Sequence, residues 1–212
     1  DGFGAAGPIH LAPDGRVLLA RESSTSETSD GRIEAFDPVT RERATVLDGL
    51  IDPIAADMAS DGTVCAVGRP SVTWPHAYLR CSSGLTVDFI TGSPAGLPAF
   101  RPTFADVLSV ASGGWVLTDV NRGAILHVDP VGRVVVLASL RPNLTLPGRP
   151  VGLARDGEGI IVATGAQGYV RVSSSDRGAD IKPNTLVGRG TVVAVAPRSN
   201  GDPRVAIVEL DQ

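Results

Sequence analysis

The sequence predicts an all-β chain built from repeated four-stranded antiparallel sheets, on three observations. A short apolar motif recurs five times at nearly regular spacing. Each copy is followed by a turn and then a second strand-like run. Apolar residues alternate over short stretches bounded by Gly, Asp and Pro, and helical periodicity is absent at any useful length.

The motif is an apolar residue, a variable one, an apolar one and Ala. It reads "IHLA" (9–12), "ADMA" (56–59), "LSVA" (108–111), "VGLA" (151–154) and "VAVA" (193–196). The closing alanines Ala12, Ala59, Ala111, Ala154 and Ala196 are 47, 52, 43 and 42 residues apart. The turns that follow are "PDG", "SDG", "SGG", "RDGEG" and "PRSNGD". Second strands follow as "RVLLA", "TVCAV", "WVLTD", "IIVAT" and "RVAIV". Third strands read "GRIEAFD" (31–37), "HAYLRC" (76–81), "GAILHVD" (123–129) and "GYVRVS" (168–173). Fourth strands read "RATVL" (43–47), "LTVDFI" (85–90) and "RVVVL" (133–137), with a faint one near "NTLVG" (184–188). Four strands in a period of roughly 40–50 residues is the pattern of a β-propeller blade.

On this count residues 1–212 form one propeller domain with about 4.5 blades. The units span about 7–50, 51–99, 100–148 and 149–187, with a half blade at 188–212. The expected ring has five or six blades. The half blade is expected to be completed by further sequence, by a partner chain or by self-association, since an open sheet edge invites strand addition.

The run "ASGGWVLTDVNRGAILHVDPVGRVVVL" (111–137) resembles an NHL-type propeller repeat, as does "APDGRVLLA" followed by "DGRIEAFDP". The resemblance extends from about Gly7 to Glu209. It implies kinship with a broad group of propellers that includes sensor domains, secreted scaffolds, gluconolactonase-like and streptogramin-lyase-like enzymes. Gluconolactonase-like propellers carry a metal-binding Glu just before a Gly-Pro at the start of a blade. Here "AAGPIH" places Ala6 at that position.

Composition narrows the function classes. Apolar residues make up 42% of the chain, 25 Gly and 16 Pro make it dense in turns, and net charge is −4. There is no basic block, so nucleic-acid binding has no electrostatic footprint. No apolar run is long enough to span a membrane as a helix. Cys65 and Cys81 lie in neighbouring strand-like runs. They form either a disulfide, which places the chain in a secreted, periplasmic or extracellular compartment, or two buried thiols. "NLT" makes Asn143 an N-glycosylation acceptor if the source is eukaryotic.

The candidate site residues come from two places. The variable slot of the first strand holds His10, Asp57, Ser109, Gly152 and Ala194, and equivalent slots converge on the ring axis. There His10 and Asp57 would meet, either pairing with each other or holding a polar ligand or divalent metal. The second place is the loop "RPSVTWPHAY" (69–78), where Trp74, His76 and Tyr78 are candidate ligand contacts stiffened by Pro70 and Pro75. Phe100 and Phe104, in the link at 93–104, are expected to flank the same rim. The polar cluster in "TDVNRG" reads as turn wiring, with Asp119 and Asn121 bracing the turn and Arg122 pairing with Asp119. No nucleophile elbow is present and no cofactor is expected. The leading expectation is therefore a non-enzymatic extracytoplasmic propeller that binds a protein or small ligand through rim loops. A propeller hydrolase or lyase with an axial site is one alternative, and a structural subunit assembling through its half blade is the other.

Overall fold

The computed structural model describes residues 8–22, 28–70, 76–90, 94, 97, 99–111, 113–139, 150–156, 159–164, 168–173, 182–185, 191–196 and 204–208. Every regular element among them is a strand. No helix among them is long and apolar enough to cross a membrane.

The strands fall into five antiparallel sheets. Blade 1 is β1 (His10–Leu11), β2 (Val17–Arg21), β3 (Gly31–Phe36) and β4 (Arg43–Leu50). Blade 2 is β5 (Pro53–Met58), β6 (Val64–Gly68), β7 (Ala77–Cys81) and β8 (Thr86–Phe89). Blade 3 is β9 (Phe104–Ser109), β10 (Trp115–Asp119), β11 (Ala124–Val128) and β12 (Val134–Ser139). Blade 4 is β13 (Gly152–Asp156), β14 (Gly159–Ala163), β15 (Gly168–Ser173) and β16 (Lys182–Thr185). The fifth sheet pairs β17 (Thr191–Ala196) with β18 (Arg204–Val208). Each sheet is an up-and-down meander in sequence order, so its first strand lies innermost and neighbouring blades meet face to face.

Alternation along the strands explains why the blades stack. Successive side chains in a strand point to opposite faces, and here both faces are buried. In β6, Val64 and Ala66 pack on blade 1 together with Leu18, Ile33 and Ala35. Cys65 and Val67 pack on blade 3 with Val107, Leu117 and Leu126. In β10, Trp115 and Leu117 face blade 2, whereas Val116 faces blade 4 beside Leu153, Ile160 and Val162. Phe104 belongs to this core and meets Phe89 edge to face at 4.7 Å. It is therefore a packing residue, whereas Phe100 is exposed.

Cys65 and Cys81 are cross-strand partners on β6 and β7 and form a disulfide, with their Cα atoms 4.0 Å apart. Tyr78, expected on a binding loop, is instead a core residue. It lies in β7 with its ring fully buried, and its hydroxyl donates to the Ile51 carbonyl at 2.7 Å. Burial pushes its phenol well above the usual range. Strand alternation turns Tyr78 inward because its neighbours Ala77 and Leu79 pack on the opposite face.

The ring of Tyr78 occupies the space that Gly68, its cross-strand partner, leaves open. A Cβ at position 68 would fall 2.2 Å from the ring carbon Cζ of Tyr78. Gly68→Ala is therefore expected to destabilise the fold by about 1–3 kcal/mol through overpacking. A urea midpoint that stays at the wild-type value would contradict this packing.

Candidate functional site

The hairpin turns set the register of the innermost strands. Gly15, Gly62 and Gly113 each adopt positive φ (87°, 87° and 92°). Their amides close the turn onto the carbonyls of Ala12, Ala59 and Val110 at 2.9, 3.0 and 2.9 Å. The third unit is thus shifted by one from the alanine-based alignment. His10, Asp57 and Leu108 are the equivalent slots, paired with Leu18, Cys65 and Val116. Ser109 is not in that series. The three turns have the same length, so Val110 holds the place of Ala12 and Ala59, and Ala111, although it matches the motif letter, lies within the turn.

His10 and Asp57 do not pair with each other. His10 Nε2 bonds Asp106 Oδ1 at 2.6 Å, from blade 1 to blade 3. Asp106 is almost wholly buried, and it also accepts from the amides of Val107 (2.8 Å) and Leu153 (2.7 Å), the latter in blade 4. Asp57, in blade 2 and also wholly buried, accepts from the Ser109 amide at 2.8 Å and from Nη2 of Arg155 in blade 4. Arg155 further donates through Nη2 to Ser109 Oγ, and through Nε to the Ser109 carbonyl at 3.2 Å. Ser109 Oγ in turn donates to the Met58 carbonyl at 3.2 Å. Two side-chain pairs thus cross the axis, each passing over one blade: 1 to 3 and 2 to 4.

This arrangement does not suit a metal. The two side chains that the slot argument would offer as ligands turn to different partners, Asp106 and Arg155. Among the described residues no group of three or more His, Cys, Asp or Glu is placed to hold a metal ion.

Beside Arg155 opens a cavity of about 510 Å³, lined by residues of the first-to-second and third-to-fourth strand turns of the blades. Pro13 reaches it from blade 1, Ser60, Asp61 and Ser83 from blade 2, Trp115 and Gly114 from blade 3, and Arg155 and Ile160 from blade 4. Gly114 has φ +88°, and a Cβ there would lie 2.3 Å from the Val128 carbonyl oxygen. His127 Nε2 braces the same turn against the Gly113 carbonyl at 3.0 Å.

The remaining predicted residues lie elsewhere. His76 is half-buried just before β7, at the end of blade 2 opposite the cavity turns. Trp74 and Asn143 lie outside the described residues. The "TDVNRG" cluster is wiring, as expected: Asp119 is wholly buried and accepts from Arg122 Nε and, at 3.1 Å, from the Arg122 amide. Asn121 Nδ2 donates to Thr103 Oγ1 at 2.8 Å, tying that turn to the approach to β9.

Asp106 and Arg155 were missed by the sequence reading. The repeat motif marks one slot per strand, and Asp106 lies outside it, two residues before Leu108 on the same face of β9. Arg155 opens the turn run "RDGEG" of the repeat pattern, yet β13 runs through Asp156. A carboxylate inside an apolar strand such as "FADVLS" is itself a signal, because it must find partners when buried.

No family model matches the chain, and no curated protein matches it by sequence. Solved structures do resemble it. A streptogramin B lyase superposes with a TM-score of 0.64 at 10% identity, over 94% of this chain and 61% of the lyase. The chain thus spans about three fifths of that protein's length. A gluconolactonase from Xanthomonas campestris gives a TM-score of 0.59 at 14% identity, over 96% of this chain and 82% of that one. An extracellular domain from B. thetaiotaomicron gives 0.54 at 12% identity, over 86% of this chain and 24% of that one. These likenesses establish the β-propeller fold that the lyase and lactonase propellers share.

The His10–Asp106 link makes stability depend on pH. Burial opposes the charged imidazolium, but the attraction of Asp106, its hydrogen bond and the more distant charge of Asp57 outweigh it, and the His10 pKa rises above 6.5. A raised folded-state pKa gives stability that is complete below 6.5 and lost as pH climbs through the folded value. The stability difference between wild type and His10→Gln is therefore expected to be largest near about pH 5 and to shrink towards about pH 9. Urea midpoints across that range check it, and a constant difference would contradict the link.

Proposed function

We propose that this chain is an extracytoplasmic, non-enzymatic β-propeller that binds a small polar ligand in the axial cavity. The observation that carries this reading is the cavity itself. Its volume of about 510 Å³ suits a small molecule, four blades contribute to its lining, and that lining includes Arg155, whose guanidinium is anchored on buried Asp57. Binding rather than catalysis is supported by the position of His10, whose Nε2 is taken by Asp106 and whose ring lies outside the cavity lining. An extracytoplasmic setting is supported by the Cys65–Cys81 disulfide and by the likeness to an extracellular domain.

A propeller enzyme is the second reading, and one observation favours it. An imidazole held by a buried carboxylate, as His10 is by Asp106, is the arrangement of a general base.

Ligand binding in the cavity is expected to raise the melting temperature by about 5–10 °C when free ligand is about 100 times Kd. Ser83→Trp, a change at an exposed turn residue of the cavity wall, is expected to abolish that rise without lowering the melting temperature of the free protein. Turnover of gluconolactone or virginiamycin B by the purified protein, lost in His10→Ala, would overturn the binding reading in favour of the enzyme.

A further inference from the structure

We infer that the ligand of the axial cavity is a small organic anion whose acid group docks on the Nη1 edge of Arg155. This rests on the cavity being the binding site and adds the chemistry of what it takes.

The argument starts from the guanidinium. Arg155 brings five N–H donors in a planar fork. Nε is used by the Ser109 carbonyl, and the two hydrogens of Nη2 by Asp57 and Ser109 Oγ. The two hydrogens of Nη1 have no partner among the described residues. The side chain is 40% exposed while Asp57 behind it is wholly buried, so the guanidinium faces two ways. One edge is locked onto the axis, and the open part lies on the cavity wall. A fork held on three acceptors has already lost its rotamer freedom, so an arriving acid group meets a donor pair fixed in place.

The rest of the lining describes the remainder of the ligand. Leu85, Trp115 and Ile160 give an apolar wall against which a hydrocarbon or aromatic body can rest. Among the described residues of the lining, Arg155 is the cation and Asp61 is the anion. Asp61 stands at the exposed turn of blade 2, where its Oδ1 is already engaged by the Thr63 amide at 2.9 Å. The positive charge is thus held beside buried Asp57 and the negative charge at an exposed turn, which orients an amphiphilic acid with its acid group on Arg155. Carboxylate and phosphate share this chemistry, since both accept charge-assisted hydrogen bonds from arginine.

The test compares 3-phenylpropionate, phenyl phosphate and the neutral 3-phenylpropionamide on the whole chain. Binding is followed by thermal shift and by the NMR resonance of the Arg155 Nε–H. At least one of the two acids is expected to bind about tenfold or more tightly than the amide. It should also move the Arg155 resonance, and it should lose both effects in Ser83→Trp. Which acid binds better identifies the acid group. Arg155→Lys serves only to assign the resonance, because removing the partner of buried Asp57 risks the fold. If the amide binds as tightly as the acids and Ser83→Trp blocks all three, the inference fails and the binding cavity stands. Acids that bind without moving the Arg155 resonance, and that are indifferent to Ser83→Trp, sit elsewhere and overturn the inference. If none of the three binds, both the inference and the proposed function fall.

Discussion

Two buried carboxylates govern the centre of this molecule. Asp57 and Asp106 lie on innermost strands that are otherwise apolar, with neither exposed to solvent to any useful degree. An unsatisfied charge there costs several kcal/mol, so the surrounding chain must bring donors to it. The donors come from other blades. Asp57 takes the Ser109 amide of blade 3 and the guanidinium of blade 4, and Asp106 takes the Leu153 amide of blade 4 and the imidazole of blade 1. Each carboxylate thus fixes the next inner strand by its backbone and, through a side chain, a strand two blades away.

The apolar packing and the cavity both follow from this geometry. The blades bury alternate faces of β6 and β10 against their two neighbours, which gives the ring its bulk stability but little selectivity for one exact stagger. The axial hydrogen bonds supply that selectivity, because they have direction. With the stagger fixed, residues of blades 1 to 4 meet at one end around a space whose lining includes Arg155, the partner of Asp57. The opposite end of the blades is given over to turn bracing, as in the Asp119–Arg122–Asn121 cluster.

Much of the architecture was legible in the sequence because it depends on local patterns. Strand alternation, turn glycines and a recurring motif are encoded within a few residues, so the four-stranded blades and even the faint strand near Thr185 were found. The Cys65–Cys81 pairing was legible for the same reason, being a matter of two adjacent strands. The axial site was legible only in part. His10 and Asp57 point to the axis as expected, but their partners are 96 and 98 residues away, and nothing local selects Asp106 or Arg155 for them. The one-residue shift of the third unit also hid which residues are equivalent, since its Ala111 repeats the letter of the motif without its place in the turn. Tyr78 differs from the expectation because "RPSVTWPHAY" is not one loop: β7 begins at Ala77, and strand alternation then decides which way the ring turns.

The most direct test of this account is native-state hydrogen exchange at the Ser109 and Leu153 amides, read by NMR in wild type, Asp57→Asn and Asp106→Asn. If the two carboxylates fix the inner strands as described, both amides are protected in the wild type almost to the level of global unfolding. Asp57→Asn should then speed exchange at Ser109 far more than at Leu153, and Asp106→Asn should do the reverse. Rapid exchange of both amides in the wild type, or equal loss of protection at both in each variant, would contradict the claim that these carboxylates hold the ring together across its axis.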